Sequence, residues 1–288
     1  MHQFGEECIV RVEKVINNNI ISSRDEKGIE VIAMGKGIGF GRKPGSEIED
    51  DRIEKIFKLE NVDDTEKFKE ILASFPIENI RLSNQIISYA KESIGVEMNQ
   101  NVYLTLTDHI GFAIERQKKN MTFSNALFEE VKLFYPNEYV IGRYALHLIE
   151  EQTGYRLCDD EAASIALHIV NAELNSRIRT TFTMTKMMRE MMQMIEDTIT
   201  IPEKTNYPKD RLIGNLKYLA NRLVSKIPVM GRVDEELNDF VKANYPQEYQ
   251  LIDRLDQHIL QTYQCMMTEE EKLYLTLDIK RLKDLYVS

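Results

Sequence analysis

The chain has 288 residues and a mass of 33.6 kDa, room for two or three domains at about 100 to 200 residues each. Its 43% hydrophobic and 29% charged content, without low-complexity tracts, excludes global disorder, and no apolar run approaches the ~18 residues of a membrane span. The net charge of −10 speaks, on average, against a nucleic-acid partner.

In chain order, Met1 to Cys8 are too acidic and too poor in apolar residues for a signal peptide, so a cytoplasmic location without membrane insertion is expected. Residues 1–60 then form a strand-rich unit. Ile9-Val10-Arg11-Val12, Val15-Ile16, Ile20-Ile21 and Ile29-Glu30-Val31-Ile32 are β-branched runs, broken by turn chemistry at Asn17-Asn18-Asn19, Asp25 to Gly28, Gly35 to Gly41 and Pro44-Gly45. Between 11 and 45 the chain holds seven Lys and Arg against four acids, so the acidity lies elsewhere. A module of this size buries little core and is expected to dimerise through a sheet face or edge.

From about residue 65 the apolar period becomes helical, over 80–95, 102–117, 124–134, 138–152 and 159–175, with a second helical series from about 183. Asp159-Asp160-Glu161 has the character of an acidic helix start. The two series are copies. Val131-Lys132-Leu133-Phe134-Tyr135-Pro136-Asn137-Glu138-Tyr139 matches Val241-Lys242-Ala243-Asn244-Tyr245-Pro246-Gln247-Glu248-Tyr249 at an offset of 110. The same offset pairs Cys158-Asp159-Asp160-Glu161 with Thr268-Glu269-Glu270-Glu271, and His168 with Asp278. Upstream the offset is 106, pairing His109 with Asn215 and Arg116 with Arg222, so the second copy has a loop four residues longer. A polar site is repeated, but only the first copy has histidine there. The expected fold is thus a small all-β domain (1–60) followed by two all-α helical-bundle repeats (66–177 and 178–288).

Three strings carry a family resemblance: Lys14-Val15-Ile16-Asn17-Asn18-Asn19, Val31 to Gly45 and Ile53-Glu54-Lys55-Ile56-Phe57. They resemble the co-antiterminator (CAT) RNA-binding domain of the BglG/SacY/LicT family of bacterial transcriptional antiterminators. Leu106-Thr107-Asp108-His109-Ile110 and Ile165 to Glu173 are similar to that family's first phosphotransferase-system (PTS) regulation domain, or PRD. The resemblance spans about residue 10 to the end. It implies a homodimer that binds a hairpin in nascent mRNA and prevents an overlapping terminator from forming.

By the same resemblance, RNA contacts fall on Lys14, Asn17, Asn19, Gly35, Lys36, Phe40 and Arg42. The residue types suit RNA recognition, with amides for base edges, cations for phosphate, an aromatic face for stacking and glycines for close backbone approach. Lys36 stands where the family often has Arg, keeping the charge without the planar fork. His109 and His168 are implied phosphorylation sites, with the EIIB domain of a PTS sugar permease as donor. A neutral imidazole nitrogen is a competent nucleophile near pH 7, and a phosphoryl group there would repel Asp108 or recruit Arg116.

Asn215 and Asp278 depart from relatives whose second domain carries histidines phosphorylated by the phosphocarrier HPr, which puts HPr activation in doubt. Asp278 either supplies a fixed charge in place of phosphohistidine or reflects drift. His2 sits in the N-terminal extension and His147 and His258 at non-equivalent repeat positions, so all three read as ordinary surface or core residues, and Cys8, Cys158 and Cys265 read as spare thiols or core residues. No metal site, cofactor motif or catalysis is expected. The competing readings are a PRD-containing DNA-binding activator, which would begin with helix-turn-helix units, and a PTS phosphocarrier, which would need no RNA module.

Overall fold

The computed structural model describes residues 10–25, 27–58, 69–70, 76–174, 178–199, 207–228 and 233–284. Six short strands come first: β1 (Val10–Arg11), β2 (Lys14–Asn17), β3 (Ile20–Arg24), β4 (Glu30–Met34), β5 (Glu47–Ile48) and β6 (Lys55–Phe57). Strands β2-β3-β4-β6 form an antiparallel sheet in that order, and β1 pairs with β5 in a separate ribbon. Register in the central pair runs from Ile20 opposite Met34 to Arg24 opposite Glu30.

Because side chains alternate along a strand, the sheet buries two different faces. Ile21 and Ala33 pack with Val10, Val12, Ile38 and Ile48 on one side. On the other, Ile20, Ile32, Met34 and Phe57 join one continuous core with the first helical repeat. Phe57 meets Tyr103 edge-on, ring centroids 5.3 Å apart. Each large side chain so buried stabilises by about 1.5–3 kcal/mol relative to exposure. One face of the sheet is therefore covered by the chain's own first helical repeat.

Ten helices follow among the described residues: α1 (Ile77–Ile94), α2 (Val102–Lys118), α3 (Phe128–Phe134), α4 (Pro136–Thr153), α5 (Asp159–Glu173), α6 (Ile178–Glu196), α7 (Tyr207–Ser225), α8 (Glu235–Asn244), α9 (Pro246–Tyr263) and α10 (Glu269–Asp284). None is long and apolar enough to cross a membrane. The acidic run expected to open a helix does so, at Asp159. The helix expected over 124–134 begins instead near Phe128. Asn125 accounts for the delay: its backbone N–H donates to Asp160 Oδ1 at 2.7 Å and its side-chain amide to Ser164 Oγ at 2.9 Å, holding the segment out of helical geometry.

The chain divides into two compact units, one of 1–125 with 137–175, the other of 126–136 with 176–288. In the first, the β module and α1, α2, α4 and α5 share the core just described. In the second, α3 packs on α6, and Tyr135 is fully buried with its hydroxyl 3.1 Å from Thr185 Oγ1. Met184, Met187, Met188, Met191 and Met192 bury one side of α6, at the spacing of a helical stripe.

Candidate nucleic-acid interface and histidine site

Strands β2 and β3 are joined by the Asn17-Asn18-Asn19 turn, onto which the loop after β4 is stitched. Gly35 N–H donates to Asn19 O at 3.0 Å, Gly39 N–H to Asn18 O at 3.0 Å, and Gly37 N–H to the Asn19 side-chain carbonyl at 2.9 Å. The Asn17 side-chain carbonyl in turn accepts from Asn19 N–H at 2.9 Å. Gly39 permits this closeness, since a Cβ there would stand 2.2 Å from Asn17 O, while a Cβ on Gly35 would stand 2.0 Å from Arg52 O, in the segment after β5. Asn17, Asn19 and Gly35 thus belong to one construction whose interior hydrogen bonds they supply.

Phe40 projects from that loop 72% exposed, beside exposed Lys36 and half-buried Arg42. A large aromatic held out on a braced loop offers a stacking face. Lys14 is exposed at the start of edge strand β2, three residues before the turn. The loop is anchored from below by Glu54, which accepts from Lys36 N–H at 3.2 Å and from Arg81 on α1 through two bonds of 2.7 and 2.9 Å. The sequence alone does not single out Glu54 and Arg81.

In the first unit, α2 and α5 bring His109 and His168 together, ring centroids 4.9 Å apart. The hinge of the arrangement is Glu161, a residue that sequence reasoning marks only as part of a helix start. Its carboxylate, 3% exposed, bridges Arg116 (Nη2 to Oε1, 2.7 Å) and His109 (Nε2 to Oε2, 3.1 Å). Burial works to raise the Glu161 pKa, but contacts with His109 and Arg116 outweigh it and hold the carboxyl below its usual range. Burial, with His109 adding to it, pushes His168 well below the ordinary histidine value, so that ring is neutral. Asp108 is raised by burial, against the pull of His109.

This site is unusually rich in unmet hydrogen-bonding capacity. Thr105 Oγ1, His109 Nε2, Arg116 Nε, Glu161 Oε2 and His168 Nδ1 are all shielded from solvent without a hydrogen bond of acceptable geometry. The 3.1 Å contact between His109 and Glu161 is a close approach rather than a well-aligned bond. Native interiors rarely leave such groups together.

The second unit places Asn215 on α7 against Asp278 on α10, Nδ2 to Oδ2 2.5 Å. Asp278 is buried to 6% exposure and also paired with Arg211 Nε at 3.2 Å. Arg211 occupies the position of Thr105 at the offset of 106 and carries no signal in the sequence. Arg222 engages Glu271 through bonds of 2.8 and 2.5 Å. Glu271 also completes a capping box, accepting from Thr268 N–H at 2.8 Å while Thr268 Oγ1 accepts from Glu271 N–H at 3.2 Å. Among the described residues, none of these second-site atoms is shielded and unbonded.

Of the remaining histidines, His147 is exposed, His258 pairs with Glu190 at 3.0 Å, and His2 lies outside the described residues. Cys158 is exposed, Cys265 half-buried, and Cys8 lies outside the described residues.

Residues 10–66 match the CAT RNA binding domain family, and residues 84–172 and 185–282 match the PRD domain family. The chain is 40% identical over 276 residues to the transcription antiterminator LicT of Bacillus subtilis (strain 168), covering 95% of this chain and 99% of that protein. It is 34% identical over 275 residues to the beta-glucoside operon antiterminator of Dickeya chrysanthemi, covering 95% and 97%. Among solved structures it is similar to the crystal structure of GlcT CAT-PRDI, with a TM-score of 0.52 and 35% identity over 57% of this chain and 98% of that one. The chain belongs to the family of transcription antiterminators built from a CAT RNA-binding domain and repeated PRD domains.

Proposed function

We propose that the chain is a sugar-responsive antiterminator that, as a homodimer in the cytoplasm, binds an mRNA hairpin and prevents the overlapping terminator from forming. Its functional division is 1–60 for RNA, 66–177 for phosphorylation-dependent control and 178–288 for a second regulation domain without histidine chemistry. The relatives above are named for antitermination, one of them at a beta-glucoside operon, which suggests a sugar-utilisation operon as the target.

The observation that carries the RNA reading is the braced loop bearing exposed Phe40. Asn17 and Asn19 spend their side-chain carbonyls on the loop itself, so Asn19 is left to address RNA through its amide donors, together with Lys14, Lys36 and Arg42. Gly35 lets the backbone come close. Binding one of two exclusive RNA folds stabilises it by about 2.7 kcal/mol at a hundredfold excess over Kd, ample to redirect a choice made during transcription.

His109 and His168 are the phosphoryl acceptors, with the EIIB domain of a sugar permease as donor. The negative charge of a phosphoryl group is repelled by neighbouring carboxylates such as Asp108 and loosens the dimer. Neither Asn215 nor Asp278 takes part in a histidine phosphorelay, so HPr does not activate through the second domain.

A gel shift of the full chain with an imperfect hairpin overlapping a terminator tests the RNA reading. Phe40→Ala is expected to weaken binding by about 1–3 kcal/mol, the worth of one stacked base, without unfolding the protein. His109→Ala is expected to give antitermination without inducer; continued dependence on sugar would falsify the inhibitory role.

A further inference from the structure

The two histidines present opposite edges to the protein interior. His109 turns Nε2 inward, shielded from solvent and 3.1 Å from Glu161 Oε2, while 15% of its side chain stays exposed. His168 turns Nδ1 inward, shielded and without a hydrogen-bond partner. A carboxylate oxygen and an unprotonated imidazole nitrogen are both acceptors, and at this distance they repel. The contact exists only with a proton on Nε2. Glu161 is ionised at neutral pH, since its carboxyl is held below the usual range. In its neutral form the His109 ring therefore carries its proton on Nε2 and its lone pair on Nδ1.

We propose that Glu161 is the positioning residue that selects the reacting nitrogen of His109, so that this ring takes a phosphoryl group on Nδ1, whereas His168, with Nδ1 sealed inside, takes it on Nε2. This rests on the reading of both histidines as acceptors. In the step, the Nδ1 lone pair of His109 attacks phosphorus of the phosphorylated donor protein. An N–P bond forms as the bond from phosphorus to the donor atom breaks, and its electron pair leaves with that atom. No electron is gained or lost overall. The imidazolium that results keeps its Nε2 proton beside Glu161 Oε2, 3.1 Å from the nitrogen, and the carboxylate charge offsets the new positive charge. A buried carboxylate orienting the ring and stabilising its cation has the division of labour of the acid in a Ser-His-Asp triad. Arg116, on the other oxygen, keeps Glu161 in place.

The second unit shows why the selection is a device and not an accident of helix packing. There Glu271 is held by Arg222 and by its own helix start, and the residue at the His109 position turns to Asp278 instead.

The test uses the full chain with 15N-labelled histidine. Long-range proton–nitrogen spectra, assigned with His109→Gln and His168→Gln, read the tautomer before any phosphorylation. Phosphorus–nitrogen coupling after treatment with phosphoramidate, with free histidine as control, reads the nitrogen modified. The expected result is Nε2–H on His109 and a phosphoryl group on its Nδ1. In Glu161→Gln, whose amide can donate to Nε2, the ring shifts toward Nδ1–H and modification at Nδ1 slows at least tenfold; Glu161→Asp restores part of it. Phosphate on Nε2 of His109, or an unchanged tautomer in Glu161→Gln, overturns the proposal. If that variant fails to fold, Nδ1–H on His109 in the native chain overturns it alone. Absence of phosphate on either ring brings down the acceptor reading too, which separates that failure from modification of the wrong nitrogen.

Discussion

The two helical repeats place four equivalent side chains in one arrangement and leave them in different electrical states. Arg116 and Arg222 correspond, as do Glu161 and Glu271, yet Glu161 is stretched between an arginine and a histidine while Glu271 is fully engaged by Arg222 and Thr268. The difference begins with one residue at the helix start. Thr268 gives α10 a capping box; Cys158, at the same point of α5, gives no side-chain cap, so Glu161 N–H bonds only to the Cys158 carbonyl. Released from its own helix end, the Glu161 carboxylate is free to face His109. In the second repeat the residue at the His168 position is a carboxylate, Asp278, and it is paired with Arg211. One site holds unmet hydrogen-bonding capacity; the other is closed.

Removing the arginine from each repeat should separate the two sites most. Arg116→Ala leaves a buried carboxylate with only His109 beside it and should cost about 3–5 kcal/mol, the usual result of unpairing a buried ion. Arg222→Ala leaves Glu271 its capping partners and should cost about 1.5–3 kcal/mol. Denaturant unfolding of the two variants reads the gap, and equal losses would mean that the two carboxylates are held alike. The gap also depends on pH. Because the Glu161 pKa is depressed in the folded chain, its stabilisation is present above the unfolded value of about 4.3 and disappears as pH falls through the lower folded one. The penalty of Arg116→Ala should therefore shrink in acid.

A smaller effect tests the closed site. Arg211→Thr restores the residue found at the first site and leaves Asp278 bonded to Asn215 alone. With Arg211 47% exposed, solvent screens the pair, so the expected loss is about 1 kcal/mol. The converse transplant, Thr105→Arg with His109→Asn and His168→Asp, should produce a first repeat that folds, stays within about 1 kcal/mol of the parent by denaturant unfolding, and takes no phosphate. Failure of the transplant to fold would show that the two sites are not interchangeable scaffolds.

Much of this is legible in the sequence because it rests on local patterns. Strand alternation, the Asn turn, the glycine loop and the 110-residue offset all survive in one dimension, and His109 and His168 stand out by residue type and flanking strings. What escapes depends on partners far apart in the chain. Glu161 looks like any acidic first-turn residue until α2 lies across it, though its match with Glu271 at one offset, beside Arg116 and Arg222 at the other, is a clue. Arg211 has no such signal, since its counterpart is Thr105. Glu54 and Arg81, 27 positions apart, meet only because the sheet docks on α1. The covered sheet face is hidden for a related reason: a sixty-residue module looks short of core only when the helices that complete it are left out.

The smallest change goes to the origin of the difference. Cys158→Thr would write the capping box of the second repeat into the first. A Thr hydroxyl there can accept from Glu161 N–H, and the Glu161 carboxylate can turn back to the N–H of residue 158, as Glu271 does toward Thr268. A new cap is worth about 0.5–2 kcal/mol, here reduced by whatever the carboxylate gives up at His109. The net gain should thus stay below about 1 kcal/mol, a rise in Tm of roughly 2–4 °C at most for a unit of this size. The informative combination is Cys158→Thr with His109→Asn. If Glu161 is shared between its helix end and His109, removing the histidine leaves nothing to give up, and the cap should stabilise more in the Asn background than in the parent. A gain that is the same in both backgrounds would mean that the carboxylate never left its helix for the histidine.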